Sequence, residues 1–248
     1  MFFLLAIVQA SPFFWLHIKK SAGSSLRRLL QPHYHCVDRS VNPCCFVGVS
    51  KEYWNDTINN YRIPLGEFQF RRACFASKYL YGKDWGRMNS FAFVREPVSR
   101  ALSMFRFLQP EIRSYAISLQ ISKCSASDLF NLFLKMLLLQ RESSASSKPF
   151  GLRFSTHVNP VWNDIVDNDG NILLANLFRL DDLERGLVKI YSECGLELPK
   201  ISLSIYNQTS RSGPIGTFLP SESQRARVLE YYQKDLLLYE EKCFRFSR

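Results

Sequence analysis

The stretch that most limits the possible folds is FFWLHI at residues 13–18, together with the loop and helix immediately after it. Apolar side chains at consecutive rather than alternating positions suit a parallel strand covered on both faces. The next seven residues, KKSAGSS, are small and polar, and LRRLL at 26–30 then has helical spacing. The order is strand, tight loop, helix, and it recurs. FAFV at 91–94 is a second buried-strand candidate. Arg95-Glu96-Pro97 comes next, and proline suits the first turn of a helix. Val98, Ala101, Leu102, Phe105 and Leu108 then fall on one helical face. ILLANLF at 172–178 predicts a third strand, and residues 181–194 a helix closed by Gly195, which adopts the left-handed conformation at little cost. DLFNLFLKMLLL at 128–139 predicts a core helix, and the capping-box pattern Ser221-Glu222-Ser223-Gln224 opens a long final helix through about Phe244. Residues 36–66 read as irregular and 141–149 as a serine-rich loop. Strands alternating with helices indicate a parallel α/β sheet. At 248 residues, with no break in composition, the chain is expected to form one domain over residues 1–248.

Lys and Arg number 32 against 22 for Asp and Glu, a formal charge of +10. Such a balance favours an anionic partner, whether nucleic acid, a phosphate or sulfate ester, or a membrane surface, although an ordinary basic soluble protein has it too. No recognised nucleic-acid motif is present, so nucleic acid is not an expected partner. The seven cysteines, Cys36, Cys44, Cys45, Cys74, Cys124, Cys194 and Cys243, contain no C-x-x-C, which argues against zinc and redox sites. No metal-ligand spacing stands out, and no metal is expected. The apolar run at 1–8, MFFLLAIV, is too short to span a bilayer and lacks the basic flank of a signal peptide. It reads as a buried strand or a packed arm, and no transmembrane segment is expected. The scattered thiols suit a cytoplasmic location, with the Golgi or another luminal or membrane-associated site as the alternative. The sequons at Asn55 and Asn207 are read as unmodified.

The loop after FFWLHI carries the first chemistry. A parallel strand feeding a glycine-containing turn and a helix N-terminus makes an anion site, because backbone N–H groups converge there and the helix dipole adds partial positive charge. Lys19 and Lys20 bring formal charge, Ser21, Ser24 and Ser25 bring hydroxyls, and Gly23 permits close approach of the backbone. The lysines precede the single glycine, so this is not a Walker A loop and a magnesium-nucleotide kinase is disfavoured. An ordinary helix-capping connection would show some of the same residues.

HIKKSAGSSL at 17–26 is similar to the 5′-phosphosulfate loop of the Golgi-type carbohydrate sulfotransferases and their bacterial relatives, whose usual form is H-I-P-K-T-A-G-[ST]-S-L. Lys19 stands where proline is usual, and Ser21 replaces threonine. The resemblance implies a sulfotransferase fold: α/β, a P-loop-NTPase-like parallel sheet flanked by helices. It implies 3′-phosphoadenosine-5′-phosphosulfate (PAPS) as donor, PAP as its product, and a hydroxyl acceptor with carbohydrate as the favoured class. Lys20 would contact the bridging oxygen and the sulfonate, and Ser21, Ala22, Gly23, Ser24 and Ser25 would cradle the 5′-phosphate. FAFVREPVSRALS at 91–103 resembles the family's 3′-phosphate motif, F-x-F-V-R-[DE]-P-x-x-R-x-x-S, which lands on Arg95 and Ser103. Physical chemistry supports that pair. Arg95 sits at the C-terminal end of a strand, where open α/β sheets bind ligands, and its planar fork suits phosphate. Arg100, within the same motif, could equally be a solvated helix residue. Weaker echoes are FASKYLYG at 75–82, THVNP at 156–160, FRLDDL at 178–183 and NQTSR at 207–211.

Sulfuryl transfer asks a protein for positioning and fixed positive charge, and the acceptor hydroxyl must lose a proton. In the G-H-x-x-Y-G segment the family's histidine aligns with Lys78. A free lysine is a poor base unless burial or neighbouring cations lower its pKa. Three readings stand: Lys78 as base or sulfonate-binding cation; His157, or a carboxylate such as Glu67, as base; or altered catalysis. The last would make the chain a PAP- and glycan-binding protein on the same fold. His17 reads as structural, and His33 and His35 have no evident partner.

Overall fold

Four consecutive apolar residues, Phe13–Leu16, form β1, and all four are buried. The computed structural model describes residues 12–34, 49–143, 149–198 and 213–244. The N-terminal run 1–8, His35, Cys36, Cys44, Cys45, most of the serine-rich loop and NQTSR at 207–211 lie outside the described residues. The chain runs β1, α1 (Gly23–Leu30), α2 (Trp54–Ile58), α3 (Arg72–Phe75), a wide π turn (Ala76–Tyr81), β2 (Asn89–Val94), α4 (Pro97–Phe107), α5 (Gln109–Ser118), α6 (Ala126–Glu142), α7 (Gly151–Val158), α8 (Val161–Ile165), β3 (Asn176–Arg179), α9 (Leu183–Glu193), α10 (Gly213–Thr217), α11 (Glu222–Tyr231) and α12 (Gln233–Leu237). Among the described residues no helix is long and apolar enough to cross a membrane.

The three strands form a parallel sheet with β2 in the centre. Phe13 lies opposite Asn89 and Leu16 opposite Ala92; on the other side Phe91 lies opposite Asn176 and Val94 opposite Arg179. Phe14, Leu16, Ala92, Val94 and Leu177 enter one core layer with α2, α3 and α8. Phe13, Trp15, Phe91, Phe93 and Phe178 enter another with α1 and α9. This two-sided burial is what apolar runs without alternation demand. A third, helical core joins α4, α5, α6, α7 and α11.

β1 is shorter than the FFWLHI run because side chains occupy its outer edge. Trp15 donates its N–H to Asn55 Oδ1 (2.9 Å), and its carbonyl accepts from Nδ2 of Asn55 (2.6 Å) and of Asn59 (2.8 Å). His17 donates its N–H to Asn59 Oδ1 (2.7 Å). The two amides stand in for a neighbouring strand and close an edge that would otherwise be open to pairing. The expectation of irregular structure over 36–66 therefore fails at α2. Asn55, the first sequon asparagine, is 3% exposed and committed to β1.

The third strand is displaced from its expected span. Asp167 Oδ1 accepts the N–H groups of Asp169 and Asn171 (2.9 and 2.8 Å), and this local side-chain turn pairs Val166 with Ile172 in an antiparallel bridge. Only Asn176–Arg179 then reaches β2. At the end of α9, Gly195 (φ 67°) allows Leu196 to donate to the Tyr191 carbonyl (2.8 Å) and Gly195 to the Ser192 carbonyl (3.1 Å), the expected left-handed stop. The capping box of Ser221 and Gln224 opens α11 as expected. The expected single final helix is not formed. It breaks at Tyr232 (φ −102°, ψ 31°), and Asp235 on α12 accepts the N–H groups of Val161 (2.8 Å) and Trp162 (2.9 Å) at the start of α8.

Candidate functional site

The register that puts Leu16 opposite Ala92 sends the chain off β1 and β2 at the same edge of the sheet. Residues 17–22 and Arg95-Glu96 are therefore neighbouring loops at the strands' C-terminal ends, the ligand-binding edge of an open α/β sheet. Arg95 is close enough to Lys20 to lower the lysine's amine pKa. Glu96 is not an ion-pair partner for Arg95 in the helix. Its carboxylate caps α4, accepting from the N–H groups of Val98 (2.9 Å) and Ser99 (2.7 Å), with Pro97 in the first turn. Ser103, on the second turn of α4, is buried.

Within the first loop, Lys20 (φ 68°) and Ala22 (φ 56°) both take left-handed backbone conformations. Ser21 donates its N–H to the Ile18 carbonyl (3.2 Å), and the Ala22 carbonyl starts α1 by accepting from Ser25 and Leu26 (3.1 Å each). Ala22, at the N-cap of α1, has no polar side chain to cap the helix, so its N-terminal partial charge faces the loop. Ser21 is 1% exposed and its hydroxyl has no partner among the described residues, which leaves it available to a polar ligand. Ser25 is buried and Ser24 exposed. Gly23 has a further reason to be glycine: a Cβ there would overlap the imidazole of His17.

Phe107, at the end of α4, gathers the next group. Lys20 Nζ lies 4.3 Å and the Arg153 guanidinium 4.7 Å from its ring centroid, and the His157 ring stacks on it at 4.6 Å. Burial, then Arg95 and Arg153, lower the Lys20 amine. His157 Nδ1 is 2.7 Å from the Arg153 carbonyl. A carbonyl only accepts, so Nδ1 carries the hydrogen and Nε2 keeps a free lone pair. Burial, helped by Lys19, Lys20 and Arg153, holds His157 at about 4, against the raising effect of that hydrogen bond. The ring is thus neutral at physiological pH and in the tautomer a proton acceptor needs.

Lys19 faces the other way. Its Nζ lies 4.3 Å from the Tyr61 ring centroid, and burial together with Arg72 and Arg27 lowers its amine to about 8, partly offset by Asp164. The Tyr61 hydroxyl donates to Asp164 Oδ2 (2.9 Å), and the buried Arg72 guanidinium packs on the Tyr61 ring at 3.8 Å. His17 lies between these groups, stacked on Trp15, and burial and the two lysines keep it well below its usual range. The loop thus presents desolvated cations, a helix start and a neutral imidazole in one place. That combination is chemically able to hold a phosphate or sulfate ester with a proton acceptor beside it.

Lys20, Ser21, Arg95 and His157 therefore come together. Lys78 does not share their surroundings: it is exposed on the π turn, its Nζ 5.2 Å from the Tyr79 ring, and it is not among the charges acting on Lys20. Glu67 is exposed as well. Arg100 is not solvated. It is 3% exposed and bonds the backbone of Lys19, His157 and Asn159 and the carboxylate of Asp235. Sequence reasoning also passed over Phe107, Arg153, Tyr61 and Arg72. An aromatic off the core face of α4 was the one available signal, since the other contacts join distant parts of the chain.

The family model described as "Sulfotransferase family" matches residues 5–241. No curated protein matches the chain, and no solved structure does.

Proposed function

Because the chain belongs to the sulfotransferase family over nearly its whole length, we propose that it moves the sulfuryl group of PAPS to a hydroxyl, with a saccharide as the favoured acceptor. The observation that carries this reading is the shared strand edge, which brings the Lys20 loop beside Arg95. The buried Ser21 hydroxyl, without a partner among the described residues, and the helix start at Ala22 fit the donor's 5′-phosphate, giving the strand–loop–helix a P-loop-like task. Arg95 and Ser103 take the 3′-phosphate. Lys20 faces the bridging oxygen and neutralises the charge that builds on it as the sulfur–oxygen bond to PAP breaks. His157 Nε2 accepts the hydroxyl proton as the acceptor oxygen bonds to sulfur. No step requires Lys78.

Labelled PAPS and a panel of glycans, incubated with the purified chain, test the reading. Transfer to a saccharide hydroxyl is expected, and a lack of both PAP binding and transfer removes it. One observation favours the second reading, a PAP- and glycan-binding protein: an exposed Lys78 stands where the family's histidine is usual. Tight PAP binding without turnover on any acceptor would establish that reading.

A further inference from the structure

Arg100 reads in the sequence as a solvated helix residue, and the structure buries it. Its guanidinium is 3% exposed and reaches four groups on three separate segments. Nε donates to the Lys19 carbonyl (3.3 Å), Nη2 to the carbonyls of His157 (3.1 Å) and Asn159 (2.7 Å), and Nη1 to Asp235 Oδ2 (3.3 Å). Asp235 in turn holds the start of α8 through Val161 and Trp162. One side chain therefore joins the loop after β1, the end of α7 and the last helices. Only a guanidinium has the fork for this; an ammonium is a point donor.

The contact with Lys19 has a specific consequence. That carbonyl belongs to the peptide between Lys19 and Lys20, and the orientation of this peptide sets φ of Lys20. Lys20 sits at φ 68°, which residues with a Cβ avoid unless the surroundings hold them there. The same turn sends Lys19 to Tyr61 and Lys20 to Phe107, within reach of the charge of Arg95. The carbonyl of His157 is bound by the same guanidinium.

We infer that Arg100 is a positioning residue: it holds the Lys19–Lys20 peptide so that the Lys20 amine and the His157 ring keep a fixed relation across the site. Its effect on turnover rests on the sulfuryl-transfer reading; its effect on the loop does not. Arg100 does not touch the donor and acts through Lys20.

Arg100→Lys tests this beside Asp235→Asn. The lysine keeps a charge near Asp235 and loses the fork. The asparagine removes the buried ion pair and leaves Arg100 able to reach the Lys19 carbonyl. Both variants should melt lower than the native chain. Turnover per PAP-binding site should fall about a hundredfold in Arg100→Lys alone, the scale of an ångström-level misplacement. PAP affinity should fall far less than turnover, because PAP keeps the 5′-phosphate that the loop cradles and has no sulfonate for Lys20 to meet. Hydrogen exchange over residues 17–26 should quicken in Arg100→Lys while β2 stays protected. Unchanged turnover and exchange in Arg100→Lys, or the same losses in Asp235→Asn, would overturn the inference. If the native chain neither binds PAP nor transfers, the sulfuryl-transfer reading falls, and loop exchange alone decides the role of Arg100. If Arg100→Lys does not fold, Arg100→Met and Asp235→Asn combined in one chain decide it: no guanidinium then reaches the Lys19 carbonyl and no buried charge is left unpaired. Native exchange over residues 17–26 in that chain refutes the role.

Discussion

Replacing Gly23 by alanine separates two reasons for a glycine in a phosphate-type loop. The added Cβ would overlap the His17 imidazole, which is wedged between Gly23 and the Trp15 ring with its own N–H held by Asn59 at the end of α2. Forcing a methyl group into such a contact costs about 1–3 kcal/mol. Gly23 is not among the positive-φ residues, so alanine tolerates its backbone and returns up to about 1 kcal/mol in helix propensity. The net loss is then roughly 0–3 kcal/mol, a fall in melting temperature of up to about 12 °C for a chain of this size. His17→Ala removes the obstacle and carries its own penalty, including the ring stack on Trp15 at about 0.5–1.5 kcal/mol. In that background Gly23→Ala should cost nothing or stabilise slightly. The double-mutant cycle should therefore show a coupling of about 1–3 kcal/mol. Urea unfolding with unchanged m-values is the assay. An equal penalty for Gly23→Ala with and without His17 would refute the steric argument. PAP titration of the double variant then isolates the other reason. If the backbone at residue 23 must approach phosphate closely, affinity stays low after the fold has recovered.

Lys20→Ala should lower transfer from labelled PAPS by ~10²–10³-fold, the scale of losing one charge-stabilising donor, while the melting temperature stays near native. Arg95→Ala removes charge-assisted hydrogen bonds, each of about 1.5–3 kcal/mol, so the PAP dissociation constant read by calorimetry should rise by ~10–150-fold. His157 titrates at about 4 in the folded chain and at its ordinary, higher value when unfolded. The unfolded state therefore binds the extra proton first, and the contribution of His157 to stability, full above pH ~6.5, is lost as pH falls towards 4. His157→Phe keeps a ring on Phe107 and should flatten the melting curve over that window relative to native. By the same argument the acid limb of kcat/KM should lie near pH 4, because that limb reports the free enzyme. A limb near pH 6.5 would exclude His157 as the base.

The parts of the fold legible in the sequence are those whose cause is local. β1 and β2 announce themselves because burial on both faces removes the polar alternation a half-exposed strand would show, and Pro97, Gly195 and the Ser221 capping box mark helix ends through contacts within a few residues. α2 carries no such mark. Its purpose, two amides on the edge of β1, exists only once residues 15 and 55 are side by side. The third strand misleads for a related reason. ILLANLF is uniformly apolar, yet the turn made by Asp167 uses its first half as a hairpin arm and leaves the second half for the sheet. At the break, the Tyr232 hydroxyl donates to the Val158 carbonyl at 2.9 Å, a partner 74 residues away that no local pattern announces.

The candidate site divides along the same line. Both candidate loops are contiguous stretches, and a contiguous stretch can resemble a motif. Their adjacency is not contiguous: it comes from parallel pairing of β1 with β2, which any α/β reading supplies without saying which residues meet. The surroundings of the loops have no local signature at all. Phe107 falls outside the face formed by Val98, Ala101, Leu102, Phe105 and Leu108, and for that reason its ring is left over to collect Lys20, Arg153 and His157. Arg100 looks like any helix arginine until its three carbonyl partners arrive from two other segments. A search for the base by motif position ends at Lys78, whereas a search by environment ends at His157. The environment is the stronger criterion. Under the proposed reading a base needs a fixed tautomer and a place beside the cations that meet the leaving group; His157 has its tautomer set by the Arg153 carbonyl and stacks on the ring that Lys20 also meets, whereas Lys78 is exposed on the π turn.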